Sequence, residues 1–249
     1  MKLNYSIQGE GLPVILMHGM FGSLSNLGVV GRALTDLYKV ISVDLRNHGE
    51  SPHSLVMDYS SMAEDIIELM DDQCLQEADL LGHSMGGKIA MKLADLARVQ
   101  TERLVVLDIT PIQYHENHHT EIFKALFAVQ QANVTSRLEA AKIMREYIHE
   151  EMVIQFLLKS FNKGQWLFNV QALFDHYPDI MAWEKVEKVN QPALFLRGGN
   201  SFYISKPEHF AAINEQFSQA KIECIENTGH WLHGEKPDEV IKHMQTFLN

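Results

Sequence analysis

The segment ADLLGHSMGGKIAMKLADLA, residues 78–97, joins two sequence patterns at a glycine-rich turn. An apolar run over residues 78–84 predicts a buried strand, and the Ala- and Leu-rich spacing over residues 86–97 predicts a helix. Between them, GHSMG places glycines on both sides of Ser84, so the chain can turn sharply and project the hydroxyl above a sheet edge. The helix N-terminus behind Ser84 favours developing negative charge. This context predicts a nucleophilic serine, with a glycine-rich turn of no catalytic role as the alternative.

Five other apolar stretches carry the same strand pattern. They are PVILMHG (13–19), KVISVDL (39–45), RLVVLDI (103–109), PALFLRG (192–198) and KIECIE (221–226). Each is rich in Leu or β-branched residues and is bounded by turn residues, which is typical of strands buried on both faces. Stretches of helical period separate them, as in residues 60–73 and 207–217. The alternation predicts an α/β fold in which helices cover both faces of a mostly parallel central sheet.

The alternation is interrupted between residues 112 and 189. This interval contains helix-like stretches such as EIFKALFAVQQ and a Lys163-Gly164 turn, but no comparable strand. No linker rich in Gly, Pro or Ser borders it, and the strand pattern resumes beyond it. We therefore expect one α/β core built from residues 1–111 and 190–249, with residues 112–189 inserted as a mainly helical cap.

The length of 249 residues suits one large α/β domain with an insertion. The sequence has no apolar run of about 18 residues, and no basic start followed by an apolar stretch. It therefore predicts neither a membrane span nor a signal peptide, and we expect a soluble, cytoplasmic protein.

The formal net charge of −11 argues against nucleic acid as the main partner. Binding a polyphosphate draws on clustered Lys and Arg, which this composition does not favour. A small molecule remains the expected partner, and a local cationic patch for an anionic substrate stays open. We expect a monomer or a small homo-oligomer.

Cysteines and clustered histidines give no metal-site pattern. Cys74 and Cys224 lie far apart without CxxC spacing, which predicts two core thiols rather than a disulfide or zinc framework. His115, His118 and His119 lie in YHENHH without ligand spacing or an acidic partner set, so we expect a solvated loop there. We expect no metal and no organic cofactor.

A second glycine-rich stretch, MHGMFGS (17–23), ends the first strongly apolar strand. A serine nucleophile needs hydrogen-bond donors where an oxyanion forms, and two backbone N–H groups serve in this layout. One is the residue after the serine, Met85. We place the other at Met20, with its neighbour Phe21 as the alternative donor. A simple strand-ending turn without a catalytic role is the alternative for the whole stretch.

The predicted base is His230, in the loop that follows the last predicted strand. Loops after the carboxyl ends of strands collect catalytic groups in open α/β sheets. The order of Ser84 before His230 is also that of α/β-hydrolases. His83 and His233 are expected to be structural.

Seven motifs together resemble the α/β-hydrolase superfamily and, more closely, its bacterial YbfF esterase subgroup. They are HGMFGS, DLRNHGESP, GHSMGGK, VVLDITP, IQFLLKSF, GGNS and GHWLHGEKPD. The likeness runs over essentially the whole chain. It implies an α/β-hydrolase fold with a helical cap, and hydrolysis of carboxylic esters or acyl-CoA thioesters. In this superfamily the turn that contains Asp44 and Arg46 commonly braces the loop around the pocket.

The acid that orients the histidine is not at its usual place. Most α/β-hydrolases carry it after the strand that here reads ALFLRGG, where this sequence has Asn200 and Ser201. Asp108 ends the preceding strand at the same carboxyl edge, and the resemblance likewise implies an acid on that earlier strand with a serine kept at the later one. We therefore expect Asp108 to hold the imidazole of His230.

Two alternatives for the acid stay open. Asp108 lies three residues before Pro111 and could cap a loop instead, and Asp175 or Asp179 could reach down from the cap. Ser201 is expected to hydrogen-bond to Asp108 or to the histidine as a fourth member of the site.

The cap supplies candidates for an apolar acyl pocket. Together with Phe21, they are Phe123, Phe127, Phe156, Phe161, Trp166 and Phe168. At helical spacing such aromatic residues more often form the cap core than a pocket wall. The sequence also leaves open whether Arg46, Lys88, Arg197 and Lys206 converge on an anionic substrate.

These residues favour a serine hydrolase that works through an acyl-enzyme. Hydrolysis of a carbon-carbon bond or a perhydrolase reaction is compatible with the same triad. A small-molecule receptor with little turnover is the alternative from another functional class.

Overall fold

The computed structural model describes residues 1–248. Its strands are β1 (Tyr5–Gln8), β2 (Leu12–Met17), β3 (Tyr38–Val43), β4 (Ala78–His83), β5 (Thr101–Leu107), β6 (Phe161–Asn162), β7 (Gln165–Trp166), β8 (Ala193–Gly198) and β9 (Ala220–Ile225). Its helices are α1 (Gly28–Arg32), α2 (Tyr59–Asp72), α3 (Met85–Leu96), α4 (Thr120–Ala132), α5 (Arg137–Met144), α6 (Glu151–Lys159), α7 (Val170–Asp175), α8 (Tyr177–Met181), α9 (Pro207–Gln216), α10 (Leu232–Glu235) and α11 (Pro237–Leu248).

Within this range, seven strands form one sheet in the order β1-β3-β2-β4-β5-β8-β9. Every neighbouring pair is parallel except β1 and β3. The central strand β4 is buried along its whole length, as expected for a parallel strand covered on both faces. The predicted α/β fold with a mostly parallel sheet is confirmed.

Alternate residues of the strands pack into two apolar layers, one on each face of the sheet, because successive side chains of a strand point to opposite faces. Ile15 joins the layer that includes residues of α2 and α3. The adjacent Leu16 joins the layer that includes residues of α1 and α11. Helices on both faces hold the strand ends rigidly, which is what a multi-residue site at the sheet edge requires.

The first strand was not predicted from sequence. β1 lies antiparallel at the edge of the sheet, and most of its residues are exposed. Because an exposed edge strand needs no apolar run, its sequence lacks the signal that marks the six parallel strands.

The interval between β5 and β8 is mainly helical. It contains α4 to α8 and one small antiparallel hairpin of β6 and β7. The predicted turn closes this hairpin, with Lys163 at φ 48° and Gly164 at φ 85°. The hairpin is too short to give a strand pattern in the sequence.

The carboxyl ends of the parallel strands meet at one edge of the sheet. Ser84 follows β4, Asp108 follows β5, Ser201 follows β8 and His230 follows β9. Parallel connections thus collect side chains that are far apart in sequence. No helix in the described chain has the length and apolar character needed to cross a membrane.

Candidate active site

Ser84 occupies a tight turn between β4 and α3. Its backbone has φ 52° and ψ −118°, a strained conformation for a residue with a side chain. The turn requires glycine on both sides. A Cβ on Gly82 would lie 2.1 Å from the Gly86 carbonyl oxygen, and one on Gly86 would lie 2.2 Å from the Met17 carbonyl oxygen. The G-x-S-x-G pattern is therefore explained by the close approach of three backbone segments around Ser84.

Asp108 is fully buried and accepts three hydrogen bonds. Its Oδ2 lies 2.8 Å from Nδ1 of His230 and also accepts a hydrogen bond from the Ser201 hydroxyl. Its Oδ1 accepts the backbone N–H of Gly198 at 2.9 Å. A carboxylate beside Nδ1 places the imidazole proton on that nitrogen and leaves Nε2 free to accept. The structure thus joins Asp108, Ser201 and His230 by hydrogen bonds, whereas Ser84 shares a cavity with His230.

Ser84 and His230 line the same cavity. Among the hydrogen bonds of the described residues, none joins their side chains. Catalytic hydrogen bonds are often long in an unliganded enzyme and tighten when substrate binds. The imidazole ring of His230 packs against the ring of Tyr203, with 4.2 Å between ring centroids, and against that of His83, with 4.7 Å between them.

The loop after β2 places Met20 on the cavity wall. His18 accepts the Leu45 N–H on Nε2 at 3.1 Å, so its Nδ1 carries the proton and donates to the Gly19 carbonyl at 2.7 Å. Because a trans peptide points its C=O and N–H in opposite directions, this bond aims the Met20 N–H away from His18. Burial lowers the pKa of His18 to about 4, so the ring stays neutral at physiological pH.

Of the two candidate amides in this loop, Met20 and Phe21, the second is already used. The Phe21 N–H donates to Nε2 of His48 at 3.2 Å. Among the described residues, no acceptor is bonded to the Met20 N–H. Met85 is the first residue of α3, where backbone N–H groups have no partner within the helix. The geometry therefore favours Met20 and Met85 as the donor pair.

A cleft lies above the serine. Its wall near the sheet includes Gly19, Met20, Phe21, Ser84, Met85, Lys88 and His230, and its cap side includes His119, Ile122, Val153, Phe156, Leu157, Tyr177, Ile180 and Met181. The cap side is mostly apolar. This composition suits an uncharged acyl group next to a polar reaction centre.

Five aromatic residues predicted for the acyl pocket lie elsewhere: Phe123, Phe127, Phe161, Trp166 and Phe168. Phe123 is buried against Phe21 and Tyr177, and Trp166 packs on Phe168 with its indole N–H donated to a backbone carbonyl. Neither is on the cavity wall. Phe127 contacts Phe174 at 5.5 Å between ring centroids and is also off the wall. Helical spacing identified inward-facing residues but could not separate cap core from cavity. Phe21 and Phe156 do line the cavity.

His119 was expected in a solvated loop and instead lies on the cavity wall. Its Nδ1 is 2.7 Å from the hydroxyl of Tyr177, and burial lowers its pKa to about 3. His115 and His118 are exposed, as expected. The sequence missed His119 because the contact that buries it comes from a residue 58 positions away.

The tyrosines on the cavity wall were also missed. They are Tyr59, Tyr114, Tyr177 and Tyr203. Each belongs to a different element or loop, so no local pattern marks them. The rings of Tyr59 and Tyr114, with that of Trp183, also surround the buried Nζ of Lys88, which donates hydrogen bonds to the carbonyls of Met181 and Ala182.

The four cationic residues considered for an anionic substrate do not converge. Arg46 is buried in a salt bridge with Asp65, with 2.7 Å between Nε and Oδ2. Arg197 donates to a backbone carbonyl, and Lys206 is an exposed residue. Of the four, Lys88 alone lines the cavity. They form no phosphate-binding patch.

The cysteines and metal-ligating residues are also placed. Cys74 is exposed and not a core residue; it lies just beyond α2 in the left-handed conformation at φ 53°. Cys224 is half-buried, and both thiols are free. Among the described residues, no group of three or more His, Cys, Asp or Glu is arranged to hold a metal ion.

Known proteins resemble this chain over its whole length. The model of the alpha/beta hydrolase family matches residues 14–243. Esterase YbfF of Escherichia coli is 46% identical over 254 residues, which cover 100% of both chains. The sn-1-specific diacylglycerol lipase ABHD11 of Danio rerio is 35% identical and covers 99% of this chain and 82% of its own. The solved structure of a marine microorganism esterase is 34% identical, covers 99% of each chain and superimposes with a TM-score of 0.94. On this sequence and structural evidence, the chain belongs to the alpha/beta hydrolase family.

Proposed function

We propose that this protein is a serine esterase that cleaves carboxylic esters through an acyl-enzyme on Ser84. The observation that carries the proposal is the Asp108–His230 pair, 2.8 Å apart, beside a cavity that also contains Ser84. The relatives named as esterases and as a diacylglycerol lipase support an ester as the substrate.

In the first half of the reaction, Nε2 of His230 takes the proton of the Ser84 hydroxyl as its oxygen attacks the ester carbonyl carbon. The backbone N–H groups of Met20 and Met85 donate to the resulting oxyanion. When the tetrahedral intermediate collapses, the bond to the leaving oxygen breaks and His230 returns the proton to that oxygen. The alcohol leaves and the acyl group stays on Ser84.

In the second half, His230 takes a proton from water, whose oxygen attacks the acyl carbon. Collapse breaks the bond to the Ser84 oxygen, which regains the proton, and a carboxylic acid is released. Asp108 keeps the Nδ1 proton in place and stabilises the imidazolium that forms twice. Ser201 and the Gly198 N–H hold that carboxylate in one orientation.

The cavity continues outward into a second cleft that suits the leaving group. His119, Ile122, Val153, Tyr203, His230 and Trp231 line both spaces. The outer cleft is lined by Glu121, Glu146 and Glu150, and by no Lys or Arg among the described residues. Such a wall repels a polyanionic leaving group such as coenzyme A and accepts a neutral alcohol. The charges therefore favour esters over acyl-CoA thioesters.

The experiment is turnover of p-nitrophenyl esters of increasing acyl length by wild type, Ser84→Ala and the matched control Ser218→Ala. Ser218 is an exposed serine away from the cavity. We expect hydrolysis by wild type and Ser218→Ala and none by Ser84→Ala. Equal rates in Ser84→Ala would contradict the nucleophile. Absence of turnover across all acyl lengths, with Ser84 still labelled by a fluorophosphonate, would favour the receptor alternative.

A further inference from the structure

Phe21 follows the proposed oxyanion amide and has a left-handed backbone with φ 66°. A bulky residue in this region is strained and persists only where its surroundings enforce it. Both polar groups of Phe21 are held by buried side chains. Its N–H donates to His48, and its carbonyl accepts from Ser160.

His48 has a defined tautomer. Its Nδ1 lies 2.9 Å from the Arg46 carbonyl and donates to it, so Nε2 is the acceptor for the Phe21 N–H at 3.2 Å. The ring is fully buried, and burial lowers its pKa to about 3. It therefore remains a neutral acceptor at any pH at which the enzyme is assayed.

Ser160 reaches the same residue from the cap. Its hydroxyl donates to the Phe21 carbonyl at 3.0 Å, and its side chain is 2% exposed. The cap segment that follows is joined to the loop that carries His48. Phe168 pairs with His48 in an isolated bridge, and the Asn169 N–H donates to the Asn47 carbonyl at 2.8 Å. The backbone of Phe21 is thus hydrogen-bonded both to the core loop, through His48, and to the cap, through Ser160.

We propose that His48 and Ser160 are positioning residues for the oxyanion hole, an inference that rests on the proposed function. Neither lines the cavity, so neither touches substrate. By binding the N–H and the carbonyl of Phe21, they fix its left-handed backbone. This backbone in turn fixes the orientation of the preceding residue, Met20, whose N–H is the proposed oxyanion donor. Loss of either hydrogen bond frees the backbone of Phe21 to rotate and misaligns the Met20 N–H.

The test compares His48→Asn with His48→Gln, two amides that differ by one methylene. The longer Gln side chain places its oxygen near the position of Nε2 and accepts from Phe21, whereas Asn reaches only the Arg46 carbonyl. With p-nitrophenyl butyrate, we expect His48→Asn to lower kcat about tenfold to a hundredfold with little change in KM. His48→Gln should stay close to wild type.

A second variant and a second probe separate positioning from general stability. Ser160→Ala should also lower kcat, and its effect should not multiply with that of His48→Asn, because both residues restrain the backbone of Phe21. An aryl trifluoromethyl ketone, whose adduct with Ser84 carries the oxyanion, should bind more weakly in proportion to kcat. Equal kcat in His48→Asn and His48→Gln, whatever their melting temperatures, overturns the proposal.

The outcomes distinguish this inference from the esterase proposal. If Ser84→Ala abolishes turnover but His48→Asn keeps full kcat, the positioning role fails and the esterase stands. If wild type cleaves no ester, the esterase proposal fails, and amide hydrogen exchange at Phe21 then tests whether His48 restrains the Phe21 N–H. The restraint is supported if exchange is slow in wild type and His48→Gln but fast in His48→Asn. Fast exchange in wild type overturns it.

Discussion

Nδ1 of His230 lies 2.8 Å from Oδ2 of Asp108, although the two residues are 122 positions apart. Asp108 follows β5, while the neighbouring strand β8 leads to Ser201, whose hydroxyl donates to the same carboxylate oxygen. The carboxylate and the hydroxyl thus come from two adjacent strand ends. The absence of an acid after β8 is therefore compatible with a complete Ser-His-Asp arrangement.

Removing the Ser201 hydroxyl should weaken catalysis without abolishing it. Ser201→Ala leaves Asp108 bonded to His230 and to a backbone N–H, so the carboxylate stays but loses one restraint. A hydrogen bond to a charged group is worth about 1.5–3 kcal/mol, which corresponds to a loss in kcat of about tenfold or more. Steady-state kinetics on a p-nitrophenyl ester measure it, and an unchanged kcat would show that Ser201 is dispensable.

Reversing charge in the outer cleft should alter leaving-group preference. The double change Glu146→Lys and Glu150→Lys converts an acidic wall into a basic one. We expect kcat/KM for an acyl-CoA to rise about tenfold relative to a p-nitrophenyl ester of the same acyl group, and the gain to shrink at high salt. The control Glu10→Lys changes an exposed charge elsewhere and should leave the ratio unchanged. A ratio unaffected by the double change would remove the electrostatic argument against coenzyme A.

Two aromatic residues of the cap should respond differently to truncation. Phe156→Ala enlarges the cavity and should shift the preferred acyl length upward with little loss of stability, since Phe156 is half-buried on the wall. Trp166→Ala removes a buried ring from the cap core and should lower the free energy of unfolding by about 3–5 kcal/mol. Its acyl preference should match that of wild type. An acyl-length shift in Trp166→Ala alone would contradict this assignment of the cavity wall.

Stability should depend on pH through Lys88. Burial lowers its pKa from 10.5 to about 7, so between these values the unfolded chain binds a proton that the folded chain does not. Stability therefore rises with pH across this window, by at most about 1.4 kcal/mol per pH unit. Urea unfolding at pH 7 and pH 9 should show this gain in wild type and its absence in Lys88→Met. The exposed Lys142→Met should behave as wild type, and a gain retained in Lys88→Met would assign the effect to another group.

Much of the fold and the reaction centre could be predicted because both depend on local patterns. Strands buried on both faces give continuous apolar runs, and parallel strands deliver the residues after them to one edge. Ser84 and Asp108 follow such runs directly, and His230 lies in the loop after β9. The exposed strand β1 has no run, so it was missed.

Other parts of the site depend on contacts between distant segments. Helical period places Phe123 and Phe156 alike, yet Phe123 is core and Phe156 is wall. The choice of Met20 over Phe21 as donor depends on His48, which lies 27 positions beyond Phe21. No spacing rule within one element reports such contacts.

We propose that Asp108 is the acid of this site, and kcat of Asp108→Asn, measured beside that of Asp179→Asn, tests this assignment. Asp179 is the cap alternative and is exposed. An amide at position 108 keeps the shape but stabilises the wrong imidazole tautomer, so kcat should fall by about 10⁴. Asp179→Asn should match wild type. A value of kcat for Asp108→Asn within about tenfold of wild type, or a collapse of kcat in Asp179→Asn, would contradict the account.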